Sequence, residues 1–427
     1  MANTNTGRAD SEYRPWQIKI FTATWLAYAG YYFCRKAFYV VKRDLSLAFD
    51  LNAVDLAHLG TAYLAAYMVG QYSSSYFGNR LGPKMLLLVG MGISLGCNVV
   101  FGISNGFWTV ALFLALNGLA QGTGWPGCIG SLAFWFKRRQ RGSILGVWST
   151  CYQLGSVLAT SFAAYLLGLA GWRWSFFGAS LVLLCVWFAV LLLHPGRPAD
   201  VDLPELQDED DDGADHDGAA DGEDKKGLNW NREVAAAIVL MGVIYFTIKF
   251  LRYALWSWTP YFLARNFELQ GDQAGYLSTV FDISGFAGVI FAGFASDRLF
   301  RGKRAFLSFA MLVVMTLAFG GMVVFGASSL FAFTLCMGLA GFMLYGPDSL
   351  LSGVAAIDVG SKRGALAAAG IINGTGSIGP IFQEQIIGWM YERYDHALTP
   401  IFILLVAVAV VGAALTLVLW TMIDRNL

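Results

Sequence analysis

YYFCRKAFYVV, residues 31–41, sets Arg35 and Lys36 side by side in a run otherwise made of aromatic and apolar residues. In a bilayer each such cation costs about 2.5 to 3.5 kcal/mol on insertion scales, so an intramembrane Arg or Lys marks a functional site by default. The surrounding chain supplies the bilayer. Of 427 residues, 56% are hydrophobic and 14% charged, against roughly 25% charged in soluble domains. Apolar stretches of about the length that spans a hydrocarbon core recur throughout. Twelve are predicted, at 18–40, 56–77, 84–103, 107–129, 142–170, 174–194, 233–263, 274–296, 305–326, 329–352, 364–390 and 399–422.

Several function classes drop out. The net charge is zero and no basic stripe stands out, so nucleic acid is not an expected partner. The cysteines at 34, 97, 128, 151, 185 and 336 lie scattered in apolar runs without paired spacing, which reads as packing and not as a disulfide or metal set. The four histidines, His58, His194, His216 and His396, fall near predicted helix ends or in a polar segment, which argues against a histidine proton relay at mid-depth. No GxxxxGK[ST] run is present, so nucleotide hydrolysis is not indicated. No nucleophile and base pair stands out either, so no enzyme, cofactor or metal is expected. The polar start MANTNTGRADSEYRPWQ lacks a signal-peptide pattern, so the first apolar run is expected to be retained.

Between the sixth and seventh stretches, residues 195–232 are rich in Asp, Glu, Gly and Pro, a composition that cannot bury enough apolar surface to fold. It reads as an acidic linker between an N-terminal bundle at 18–194 and a C-terminal bundle at 233–422, with tails at 1–17 and 423–427. KRRQR at 137–141, SDRLFRGKR at 296–304 and SKR at 361–363 all fall in connections on one side. The positive-inside rule makes that side cytoplasmic, together with both termini. Lys42 and Arg43 run against this trend. Arg35 precedes Arg80 by 45 residues, and Arg252 precedes Arg298 by 46, with GNRLGPK and SDRLFRGKR at matching places. Such an internal repeat predicts an all-α membrane protein with the major facilitator fold, twelve transmembrane helices in two pseudo-symmetric six-helix bundles, and a midplane site between the halves.

The seventh stretch, VIYFTIKFLRYALWSWTPYFL, places Lys249 and Arg252 three residues apart on one helical face. With Arg35 and Lys36 they make four cations at depth, suited to an anion. Arg offers a planar fork matched to phosphate or carboxylate oxygens. The symmetric pair Arg35 and Arg252 is therefore expected to grip one anion. The competing reading is that the cations pair with buried acids, of which Asp282, Asp348 and Glu384 are available, or snorkel to an interface. One of the two lysines, Lys36 or Lys249, is expected to be neutralised by Asp282. The glycine-rich runs GLAQGTGWPGC and GIINGTGSIGP are expected to let helices pack closely and bend.

At YYFCRKAFYVVKRDL, NGLAQGTGWPGC, RYALWSWTPYFL, SDRLFRGKR and INGTGSIGP, the chain resembles the organophosphate:phosphate antiporters of the major facilitator superfamily. The resemblance spans all twelve stretches except the acidic linker. It implies exchange of an organic phosphate, a sugar phosphate or glycerol phosphate, for inorganic phosphate by alternating access. Arg35 and Arg252 match the family's phosphate-binding basic residues, Lys36 the adjoining lysine, and Asp282 the acid of the eighth helix. Three departures concern the groups that read the organic part. Tyr152 replaces a fifth-helix histidine, Ser257 an acid, and Gln71 a lysine. Tyr152 retains a neutral donor for a phosphate oxygen. Lys249, Asp348 and Glu384 look like additions, the two acids being candidates for charge coupling. A monomeric carrier in the cell (inner) membrane is expected. The rivals are a proton-coupled symporter of an organic anion such as a sugar acid, and a membrane sensor of sugar phosphates.

Overall fold

The computed structural model describes residues 4–206, 232–300, 303–351 and 355–426, all helix and connecting turns. The helices are α1 (Thr4–Val40), α2 (Lys42–Phe49), α3 (Ala53–Leu81), α4 (Pro83–Ile103), α5 (Phe107–Gln121), α6 (Gly124–Trp135), α7 (Arg138–Trp148), α8 (Thr150–Ala170), α9 (Trp172–Leu193), α10 (Arg232–Asn266), α11 (Gly271–Phe294), α12 (Arg304–Gly321), α13 (Leu330–Ser349), α14 (Ala355–Arg393) and α15 (Thr399–Asn426).

Among the described residues eight helices are long and apolar enough to cross a membrane. The four predicted stretches outside that set lie on α1, on α3, across α5 and α6, and on α14. Each is diluted for a visible reason. The stretch on α1 carries Arg35 and Lys36, that on α3 is rich in Tyr and Ser, and that on α14 holds a glycine run and Glu384. The 107–129 stretch is interrupted at Gly122 and Thr123. Polarity in a spanning helix is tolerated where it faces protein or a watery cavity. Arg35, Lys36 and Glu384 thus lie on helices outside the apolar set, whereas Tyr152, Lys249, Arg252, Asp282 and Asp348 lie on helices within it.

α1 begins at Thr4 and runs through Pro15, so the described part of the expected tail at 1–17 is helical. Gln17 Nε2 donates to the Trp135 carbonyl at 2.9 Å, and Tyr13 donates to the Pro204 carbonyl, which packs this start against the first unit. The SKR run at 361–363 is not a loop but lies inside α14, whose only proline, Pro380, comes much later. Most of the acidic linker, residues 207–231, lies outside the described residues.

The chain divides into two compact units, Met1–Phe38 with Ala62–Ala220, and Tyr39–Thr61 with Asp221–Leu427. In the first, α4 packs on α9 and α5, and α8 packs on α9. In the second, α10 packs on α14, α11 on α13, and α12 on α15. The end of α1, all of α2 and the start of α3 thus belong with the C-terminal half. The glycine runs make the close approaches expected of them. A Cβ at Gly118 would strike the Tyr63 carbonyl, and one at Gly379 would stand 2.5 Å from the Phe246 carbonyl. Small residues there let α5 approach α3, and α14 approach α10, backbone to backbone.

His194 closes α9 and is fully buried. Ser131 spends its own proton on the Gly127 carbonyl, so His194 Nε2 donates to Ser131 Oγ at 2.7 Å while Nδ1 accepts from the Gly196 amide at 3.0 Å. That network holds the neutral Nε2–H tautomer, and a proton on Nδ1 would face another N–H. Burial lowers its pKa from 6.5 to about 4, with Lys84 pushing the same way. Because the unfolded chain binds this proton more readily, the contribution is complete above about pH 6.5 and is lost as pH falls toward 4. Thermal unfolding of the wild type is expected to drop between pH 7 and pH 4.5 by more than that of His194→Gln, and parallel pH profiles would contradict the assignment.

Candidate substrate-binding site

In the first unit the site is built around Arg35, 6% exposed on α1. Its Nε donates to Gln121 Oε1 at 3.0 Å. Its guanidinium carbon lies 4.8 Å from the centre of the Tyr67 ring, 5.0 Å from Tyr32 and 5.9 Å from Tyr63. Among the described residues no carboxylate forms an ion pair with it. The cation is stabilised by ring quadrupoles and one amide oxygen, none of which cancels its charge.

That arrangement follows from NGLAQG. Asn117 and Gln121 are four apart and so share a face of α5. Asn117 Nδ2 donates to the Cys34 carbonyl at 3.2 Å, and Gln121 Nε2 donates to Asn117 Oδ1 and Ser94 Oγ, each at 3.2 Å. Gln121 Oε1 also accepts the Tyr63 hydroxyl at 2.9 Å. Both amides thus brace α1 at Arg35. They were not among the candidates read from sequence, although two amides at i and i+4 in an apolar run were the signal. Lys36, one position on, is also buried and leaves the helix about 100° away. Tyr152 lies in the same unit, its ring centre 5.0 Å from Tyr28, 5.8 Å from Trp148 and 6.0 Å from Trp125. Tyr28 in turn meets Tyr32 at 6.0 Å, so an aromatic wall runs from Arg35 to Tyr152.

In the second unit Arg252 behaves differently. Its Nη1 meets Asp348 Oδ2 on α13 at 2.9 Å, with side-chain exposures of 19% and 11%. Its guanidinium carbon lies 4.6 Å from the centre of the Tyr345 ring, and the Tyr345 hydroxyl donates to Asp282 Oδ1 at 2.6 Å. Lys249, one turn before Arg252, donates to Asn373 Oδ1 at 2.7 Å and Ser377 Oγ at 3.1 Å, both on α14. The INGTGS run therefore supplies polar partners as well as close packing.

Glu384 pairs with a different cation. Its Oε2 stands 3.2 Å from Lys42 Nζ, and both side chains are fully buried. Lys42 also sits 4.0 Å over the Trp258 ring and 5.0 Å over Tyr39. Gly60 makes the room, since a Cβ there would stand 2.9 Å from the Glu384 carboxyl carbon. Lys42 ran against the charge asymmetry because it is an internally neutralised residue and not a solvated loop cation.

One family model, that of the Major Facilitator Superfamily, matches residues 24–382. Over 433 residues the chain is 27% identical to a probable hexose phosphate transport protein of Chlamydia pneumoniae, covering 97% of this chain and 93% of the relative. It is 27% identical to the membrane sensor protein UhpC of Salmonella typhimurium, covering 86% and 84%. It is also 27% identical to the glycerol-3-phosphate transporter of Bacillus subtilis, covering 91% and 89%. Among solved structures, the inward-facing, unoccupied bacterial homolog of the human lysosomal transporter Spinster aligns with a TM-score of 0.76 at 16% identity, covering 96% of this chain and 98% of that one. A D-xylose–proton symporter aligns at 0.72 and 11%, covering 93% and 97%. With its apolar helices, its repeated arginines and a match across most of its length, the chain belongs to the Major Facilitator Superfamily as a multi-pass membrane transport protein and not an enzyme, similar to hexose-phosphate and glycerol-3-phosphate transport proteins and to a sensor relative.

Proposed function

We propose that the protein exchanges an organic phosphate for inorganic phosphate by alternating access, as a monomer in the cell (inner) membrane with both termini cytoplasmic. The observation that carries this reading is Arg35, a buried guanidinium held by neutral partners. A buried charge of this kind is costly unless an opposite charge arrives, and a phosphate brings two or more oxygens matched to its fork. Arg252 supplies the second guanidinium, Lys36 and Lys249 add positive potential, and Tyr152 is a neutral donor beside the aromatic wall. The relatives named for hexose phosphate and glycerol-3-phosphate support the same substrate class.

The Arg252–Asp348 pair favours one second reading, proton-coupled symport of an organic anion, because a carboxylate on a binding-site cation offers a place for a proton. Counterflow separates the two. Proteoliposomes loaded with phosphate are expected to accumulate a labelled hexose phosphate without a pH gradient. Uptake that requires an inward proton gradient and ignores internal phosphate would overturn exchange in favour of symport.

A further inference from the structure

The two arginines that match in the internal repeat do not have matching surroundings. Arg35 rests on an amide and aromatic rings, whereas Arg252 carries a carboxylate from α13 at 2.9 Å. An ion pair that is fully enclosed, as Lys42–Glu384 is, leaves no route for another ion to replace either partner. Arg252 and Asp348 instead keep 19% and 11% of their side chains exposed, so this pair is not sealed in the same way. Asp348 Oδ2 meets Nη1 with the same charge and oxygen chemistry that a phosphate oxygen would use. The Tyr345 ring, 4.6 Å away and tied by its hydroxyl to Asp282, holds the guanidinium from another side.

We propose that Asp348 is a tethered competitor for the substrate anion: it occupies Arg252 in the empty carrier and is displaced, in whole or part, when phosphate binds. It thereby sets affinity and the freedom of the empty carrier to turn over. Two consequences follow from charge alone. The carboxylate weakens anion binding, because the incoming phosphate must displace a like charge from its guanidinium. It also reduces the uncompensated positive charge of the empty site, so an empty carrier reorients more readily and net flux accompanies exchange. Asp348 acts through Arg252 and is a positioning residue. The proposal rests on the organophosphate reading only in taking phosphate as the competing anion.

Equilibrium binding of inorganic phosphate and of a labelled hexose phosphate to purified wild type, Asp348→Asn, Asp348→Glu and Arg252→Gln/Asp348→Asn tests it. Asp348→Asn is expected to bind both anions about tenfold more tightly, with net efflux from proteoliposomes slowed more than exchange. Asp348→Glu restores wild-type affinity, and the double variant shows no tightening because the gain passes through Arg252. Should the amide variant fail to fold, Asp348→Ser removes the same charge and is expected to tighten binding likewise. Wild-type binding with neither the Asn nor the Ser variant any tighter overturns the proposal alone. If neither the wild type nor any variant binds phosphate or hexose phosphate, both the proposal and the organophosphate reading fall.

Discussion

Glu384→Gln is expected to destabilise the folded protein by about 3 to 5 kcal/mol, the usual cost of removing one partner from a buried ion pair. Lys42 is fully buried, with its ammonium 3.2 Å from Glu384 Oε2 and 4.0 Å over the Trp258 ring. A neutral amide withdraws the counter-charge while leaving the ammonium in a low-dielectric place, and a cation–π contact of about 2 kcal/mol offsets only part of that loss. The same logic gives a second, less intuitive outcome. Lys42→Met/Glu384→Gln is expected to recover at least half of the lost stability, because the expensive element is the unmatched charge and not the missing attraction. Thermal unfolding in detergent measures both. Equal melting of Glu384→Gln and wild type would show that the pair contributes little to holding α2 and the start of α3 on the second unit.

Arg35→Lys is expected to lower exchange of a hexose phosphate for phosphate by about 100-fold, as two charge-assisted hydrogen bonds worth roughly 1.5 kcal/mol each are lost. The substitution keeps the charge. It removes the Nε that donates to Gln121 at 3.0 Å and the planar fork that matches two phosphate oxygens. An ammonium also loses the guanidinium's stacking on the Tyr32 and Tyr67 rings. Arg252→Lys is expected to impair exchange less, since Asp348 already competes at that position. Initial rates of counterflow compare the two. Near-normal exchange by Arg35→Lys would mean that charge alone recruits the anion.

What could be read from sequence divides along a physical line. Periodicity and composition report on single helices, so the apolar stretches and the close-packing role of the glycine runs were legible. Which helix faces which is not a property of one helix. Lys42 and Glu384 lie 342 residues apart, and nothing local announces their meeting. The same holds for Arg252 and Asp348, 96 apart, where sequence offered three acids as partners without choosing. Gln121 was hidden for another reason. Amides carry no formal charge to single them out in an apolar run, and only their four-residue spacing marks them. The helical start of α1 was missed because polar residues there find partners on the folded unit, such as Trp135 and Pro204, that hydropathy cannot register.

The buried, uncancelled guanidinium of Arg35 is most directly tested by equilibrium binding of a labelled hexose phosphate to the purified protein and to Arg35→Gln. Wild type is expected to bind the label saturably and release it to inorganic phosphate, while Arg35→Gln, folded by its melting curve, shows no saturable binding. Binding by Arg35→Gln at wild-type affinity would contradict Arg35 as the anion receptor.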